Sequence, residues 1–401
     1  MKTSARLLAF VAPALAALSA CVVSTGDLEP KTAADCQPFE KPCGYRCVSL
    51  DDPGTGCSNE SCDAVDLFTD PSHCGACGHS CTLTACVEAV CLPESLQRGT
   101  AGDLRGIAEM NGTLYWLEGS QGGRLVSWSP SAGSGAFTNA NAIVVTTLLD
   151  AAAGRSNAPS ASRISALPSL GRLYVAGSGG GLPTNNLTLW EIDPSGPSKT
   201  SFYSEASVAG IVVDGIAATG AGVHYVRSDD LRLAFAPPSA VTPTFISTSN
   251  TQALRGLAVL GNDVYYGFSS DFGTLARVSG AGAEVVVARG VGTLPHRLAA
   301  VVGGSGALVY FASEDDGSAR LVDGPTLVQI YSGSGVPHAI DVAADSNGAY
   351  FFDPVIGEVL EYRADGWFFP LARGAAPFGI AVDSTYVYWT DASGSVMRVP
   401  K

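Results

Sequence analysis

The chain has 401 residues, 47 of them glycine, with only 15% charged residues and a formal net charge of -14. That acidic balance argues against nucleic acid as a partner, since phosphate binding needs a basic footprint. No HExxH, G-x-S-x-G, complete GxGxxG or Walker loop occurs, so the common protease, hydrolase and nucleotide-binding classes lack their minimum residues.

At the N-terminus, Lys2 and Arg6 precede an apolar run from Leu7 to Leu18. The run is too short to span a bilayer and reads as a signal peptide over residues 1-20. It ends in Leu18-Ser-Ala-Cys21, which resembles the lipobox of bacterial lipoproteins. The resemblance implies that Cys21 is diacylated and becomes the first residue of the mature chain. Ordinary cleavage near Ala20, leaving a free Cys21, is the alternative. Acyl chains contribute about 0.8 kcal/mol per buried CH2, which anchors a protein in a membrane without a transmembrane helix. By resemblance to lipoprotein sorting, Val22 after the cysteine implies the outer membrane of a Gram-negative cell, on its periplasmic or cell-surface face. Residues 21-35, with Gly26 and Pro30, then form a flexible tether.

The ten remaining cysteines all lie in residues 36-91: Cys36, Cys43, Cys47, Cys57, Cys62, Cys74, Cys77, Cys81, Cys86 and Cys91. An even number in an exported segment short of aliphatic residues is expected to form five disulfides, which substitute for a core. Spacing does not fix their pairing. The run Asp70-Pro-Ser-His-Cys74-Gly-Ala-Cys77-Gly-His-Ser-Cys81 resembles the cysteine-rich modules of the stigma-specific family and of many bacterial secreted proteins. A zinc site on Cys74, Cys77, Cys81 and His79 is the alternative, because thiolates at two-residue spacing suit tetrahedral zinc. Disulfides are the expectation, and no metal or cofactor is assigned.

From residue 93 to 401 one motif returns seven times. An apolar first strand starts at Ile107, Ile164, Ile216, Leu257, Leu298, Ile340 and Ile380, the last four intervals being 41, 41, 42 and 40 residues. An aromatic second strand carries Tyr115, Tyr174, His224, Tyr265, Tyr310, Tyr350 and Tyr388 in one slot. A third strand follows, as in Arg124-Leu-Val-Ser-Trp128, and six copies have a fourth, as in Phe368-Phe-Pro-Leu-Ala-Arg373. A four-strand unit at about forty residues is the signature of a β-propeller, so the fold class is all-β with seven four-stranded blades. The seventh copy lacks its fourth strand. Ser95-Leu-Gln-Arg-Gly99 reads like Pro370-Leu-Ala-Arg-Gly374 and is expected to supply it, closing the ring and pairing the open edge.

The last aromatic strand spells Tyr388-Trp-Thr-Asp391, and here the chain resembles the YWTD repeats of the low-density lipoprotein receptor family; NHL-type propellers are similar too. The receptor propellers have six blades and this chain counts seven. The resemblance implies a noncatalytic binding module in which Glu118, Asp353 and Asp391 serve as structural hydrogen-bond acceptors.

In a propeller the entry to each first strand and the loop between second and third strands share one pole. The residue two before each first-strand anchor is Arg105, Ser162, Asp214, Arg255, His296, His338 or Phe378. Arg105, Asp214, Arg255, His296, His338 and Phe378 are therefore the candidate ligand-binding residues of a channel mouth, joined by the loop acids Asp229, Asp230, Asp271, Glu314, Asp315 and Asp316. His296 and His338 occupy matching Pro-His pairs on adjacent blades; they offer two imidazoles to one ligand or proton, or record repeat duplication alone. His224, in the tyrosine slot, reads as packing. The expected function is an outer-membrane-anchored lipoprotein whose propeller binds a protein, peptide or glycan. A lyase- or lactonase-type extracytoplasmic enzyme and a purely structural envelope component are the alternatives.

Overall fold

A computed structural model describes Glu40–Cys43, Arg46–Ser49 and most of residues 69–401, excepting interstrand segments such as 149–162 and 332–340. Cys21, Cys36, Cys57, Cys62, Cys77 and His338 lie outside the described residues. Seven antiparallel sheets of four strands make up the body. Their innermost strands neighbour one another in chain order, and that of blade seven, Pro377–Val382, returns to that of blade one, Leu104–Met110. This is the seven-bladed propeller expected from the repeats.

The aromatic strand is buried on both faces, as a strand sandwiched between blades must be. Tyr115, Tyr174, His224, Tyr265, Tyr310, Tyr350 and Tyr388 are all buried. Opposite each lies a small residue of the first strand: Ala108, Ser165, Ala217, Ala258, Ala299, Ala343 and Ala381 in turn. A ring facing a methyl or hydroxymethyl group across the ladder leaves room for the side chains of the next blade.

That register corrects one anchor. In blade six it is Val342, not Ile340, that pairs with Phe351 as Leu298 pairs with Phe311 in blade five. The apolar Ile340 and the repeated Pro-His pair placed the anchor two residues early. His338 therefore precedes its anchor by four residues, while His296 precedes Leu298 by two, and the two histidines are not equivalent.

Blade seven closes as expected. Glu94–Gln97 forms its outermost strand, with Val396 opposite Leu96 and Arg398 opposite Glu94. Arg398 is 2% exposed and its guanidinium reaches the Glu94 carboxylate at 2.9 and 3.2 Å. Arg98 continues the connection into blade one, with its Nε 3.0 Å from Glu118.

The end of the cysteine-rich segment is stapled by Cys74–Cys86 and Cys81–Cys91. These four sulfurs sit in the same apolar cluster as Phe352 and Leu371 of blade six and Trp389 and Val399 of blade seven. Glu88 pairs with Arg373 at 2.5 Å, and His79 Nε2 lies 3.4 Å from the Pro400 carbonyl. The cystines thus extend the core between the last two blades.

Candidate functional site

The mouth residues predicted from sequence fall at a recurring irregularity of the first strand. In blades three, four, five and seven the register with the second strand skips one residue there, namely Asp214, Gly256, His296 and Phe378. Blade one skips two, Arg105 and Gly106. A bulge leaves the extra residue outside the ladder and redirects its side chain, so the same backbone device recurs around the channel entrance.

Arg105 and Phe378 come together. The guanidinium carbon lies 5.2 Å from the Phe378 ring centroid, and Phe378 is 42% exposed. Arg105 also donates to the Leu104 carbonyl at 3.0 Å, and the Thr390 hydroxyl donates to the Arg105 carbonyl at 2.7 Å, fixing the junction of blades one and seven. Asp214 and His296 lie in described strands, as does Arg255, whose main chain pairs with Gly267; the side chains of all three are outside the described residues. The same holds for His338 and for the acidic loop residues Asp229, Asp230, Asp271, Glu314, Asp315 and Asp316.

Beneath the mouth, the innermost strands surround a channel of about 130 Å³. Its apolar wall is formed by Ile107, Ile164, Ile216, Leu257, Leu298 and Ile380, five of them anchors of regular register bulges and Ile164 the anchor of blade two. The position just before the anchor is glycine in blades one, three, four and seven. A Cβ on Gly215 would lie 3.1 Å from Leu257 Cγ, so any larger residue there would press on the first strand of blade four. In blades five and six the same position carries Arg297 and Asp341, the charged groups of the channel wall among the described residues. Arg297 Nε stands 3.9 Å from Asp341 Oδ1, and Asp341 Oδ2 accepts the Ile380 N–H at 3.3 Å. Sequence reasoning missed both, although an Arg and an Asp in a position that is glycine in four of the seven blades is a visible signal once the register is right.

Further groups on the mouth pole were also missed. Phe272, between the second and third strands of blade four, is 87% exposed with φ 61°, a backbone conformation that a bulky side chain rarely adopts. Val355 and Ile356 are exposed in the corresponding connection of blade six. The Phe272-Gly273 pair, an aromatic at a turn, carried the only signal.

The acids of the aromatic strand are engaged in structure. Glu118, 2% exposed, accepts from Arg98, from Arg124 and from Trp116 Nε1 at 3.1 Å. Asp353 accepts the Val355 N–H at 2.8 Å and the Tyr331 hydroxyl at 2.6 Å, and Asp391 accepts the Ser393 N–H at 2.8 Å. Burial and the Asp353 carboxylate push the Tyr331 phenol well above its ordinary range, so it stays a neutral donor. His224 Nε2 lies 2.9 Å from the Gly280 carbonyl of the next blade, which makes it an inter-blade contact. Burial holds its pKa below the ordinary value, against the opposing pull of that hydrogen bond. The zinc alternative meets an obstacle, since Cys74 and Cys81 are consumed in disulfides and His79 Nδ1 faces the Cys74 carbonyl.

No family model and no curated protein matches this chain. Solved structures do. A streptogramin B lyase superposes with TM-score 0.57 at 13% identity, covering 77% of this chain and 97% of the lyase. Virginiamycin B lyase from Staphylococcus aureus gives 0.58 at 9% identity, covering 77% and 99%. YCF48 bound to D1 peptide gives 0.53 at 11% identity, covering 77% and 95%. At these identities the likeness shows the propeller fold.

Proposed function

We propose that this chain is an envelope lipoprotein, held in the outer membrane through Cys21, whose propeller binds a protein, peptide or glycan ligand at the channel mouth. The observation that supports this reading is the stack of Arg105 on the half-exposed Phe378. It joins an apolar face and a cation at the rim of a concave channel, a combination that suits ligand capture. The described carboxylates near that rim are occupied by main-chain and side-chain donors, which favours binding over acid-base chemistry. Solved propellers of this fold include lyases and a peptide binder, so the fold does not choose between those classes.

Exchanging Arg105, Arg255, His296 and His338 for Ala is expected to abolish capture of ligand from an envelope extract while the circular dichroism spectrum is retained. Unchanged capture by the folded fourfold variant overturns the mouth as the site. Replacing Cys21 with Ser is expected to release the protein from the membrane fraction, and detergent partitioning that is unaffected overturns the anchor. The lyase or lactonase alternative requires one or both histidines to act on substrate. Stoichiometric calcium or zinc in the purified protein would favour it.

A further inference from the structure

A second cavity, of about 520 Å³, lies at the junction of blades one and seven. Glu109 and Gly112 line it from the end of the first strand of blade one and the turn that follows. Asp383, Ser384 and Thr385 line it from the same turn of blade seven. The mouth residues sit at the opposite ends of these strands, so the cavity opens on the other pole of the ring. Its volume falls in the range of about 300–1,000 Å³ common for small-ligand sites.

The polar groups of this wall are mixed in kind. Glu109 accepts the Gly112 N–H at 2.6 Å, and Asp383 accepts the N–H groups of Thr385 and Tyr386 and the Tyr388 hydroxyl. Among the described residues neither carboxylate has a cationic partner within salt-bridge distance. Burial raises the Glu109 pKa, opposed by the Gly112 N–H, and the Asp383 charge raises it further. The nearby cations are engaged elsewhere: Arg398 by Glu94, and Lys401 by the Asp345 carboxylate and the main-chain oxygen of Asp383.

On the same wall Trp128 is 2% exposed, and its Nε1–H has no acceptor. A buried indole N–H normally has one, as Trp116 has in Glu118. Aromatic surface accompanies these groups. Arg398 lies 4.3 Å from the Tyr386 ring centroid and 5.4 Å from that of Trp128, so a guanidinium already occupies one side of the cluster. A second cation would meet that charge and would offer nothing to the indole. A ligand with an apolar ring face and hydroxyls on its edge can stack on Tyr386, donate to Glu109 and Asp383, and supply an oxygen near Trp128.

We propose that the cavity between blades one and seven is a saccharide subsite, in which Glu109 and Asp383 accept ligand hydroxyls, Tyr386 provides the stacking face and the Trp128 indole N–H is the donor that a ligand oxygen satisfies. This site is independent of the mouth, and the two fail separately. The test uses the full chain with cellohexaose, maltohexaose and chitohexaose as probes, followed by calorimetry and tryptophan fluorescence. At least one probe is expected to bind at millimolar concentration or below. Glu109→Gln, and Ser384→Trp, which plugs the entrance from an exposed position, are each expected to weaken binding at least about tenfold. Trp128→Phe is expected to weaken it as well, while Arg105→Ala combined with Phe378→Ala leaves it unchanged. The inference is overturned if no probe binds, if the mouth variant abolishes binding, or if Ser384→Trp binds as well as the parent. Pentalysine displacing the bound saccharide from this cavity overturns the ligand class.

Discussion

Two junctions of the ring are held in different ways. Between blades three and four the chain itself runs from the outer strand of one blade into the inner strand of the next, and the contact is mostly apolar. Ala217, Val226 and Phe235 pack against Leu254, Val264 and Tyr266, with the buried His224 as a polar bridge. Between blades seven and one the outer strand of blade seven belongs covalently to blade one and only pairs with Ser395–Pro400. There the directional contacts gather: Arg398 with Glu94, Arg98 with Glu118, and rings of Trp128, Phe137 and Tyr386 around the Arg398 guanidinium. A covalent link holds blades together whatever the packing, whereas a closure made of four residue pairs needs directional bonds to specify register and edge.

The largest effect expected follows from removing the closing strand. A chain starting at Leu104 should be less stable than one starting at Leu92 by at least about 5 kcal/mol in urea unfolding, because an edge opens, Leu96 is lost and Arg398 is left without its carboxylate. Equal unfolding midpoints would show that blade seven does not depend on this strand.

Next is Glu94→Ala in the full chain. Breaking a buried ion pair from one side strands the other charge, so about 3 kcal/mol should be lost. A loss no greater than that of an exposed Glu→Ala control would mean that the rings around Arg398 suffice.

At the other junction the smaller term is proton-linked. His224 has a folded-state pKa below its ordinary value of 6.5, so as the pH falls the unfolded chain takes up the proton first. Its contribution is complete above that value and is lost progressively below it. Stability measured between pH 7 and pH 5 should fall, and the fall should shrink in His224→Tyr, which restores the side chain of the other six blades. An identical pH profile in both proteins would remove His224 from the account.

The smallest change is expected away from either junction. Phe272 holds a positive φ and makes little use of burial, so Phe272→Gly should leave stability unchanged or raise it by up to about 1 kcal/mol. A clear loss in a thermal melt would show that the ring is packed on a partner surface of its own chain.

The tyrosine slot was readable because each blade solves the same packing problem, so six of seven copies keep the tyrosine; the alanine that faces it in five of those six emerged only with the register. The closing strand was readable for the same reason: Leu96 falls where the outer strand of a blade must bury an apolar side chain. The mouth was less legible. Its residues came from counting back from the anchors, and where an Ile and a Pro-His pair mimicked the pattern, at Ile340, the count slipped by two. Nothing local separates Ile340 from Val342, since both are β-branched and apolar.

The sequence by itself determined the number of blades, the identity of the strands and the chain segment that completes the ring. Each of these is repeated or nearly repeated, and repetition survives the loss of any one residue. Tertiary structure alone decided which residues meet across junctions. Arg105 reaches Phe378, 273 positions further along the chain, Arg297 faces Asp341, and Trp128 shares a cavity with Asp383. These contacts join different blades at single positions, so no period marks them, and only the closed ring brings their side chains within reach.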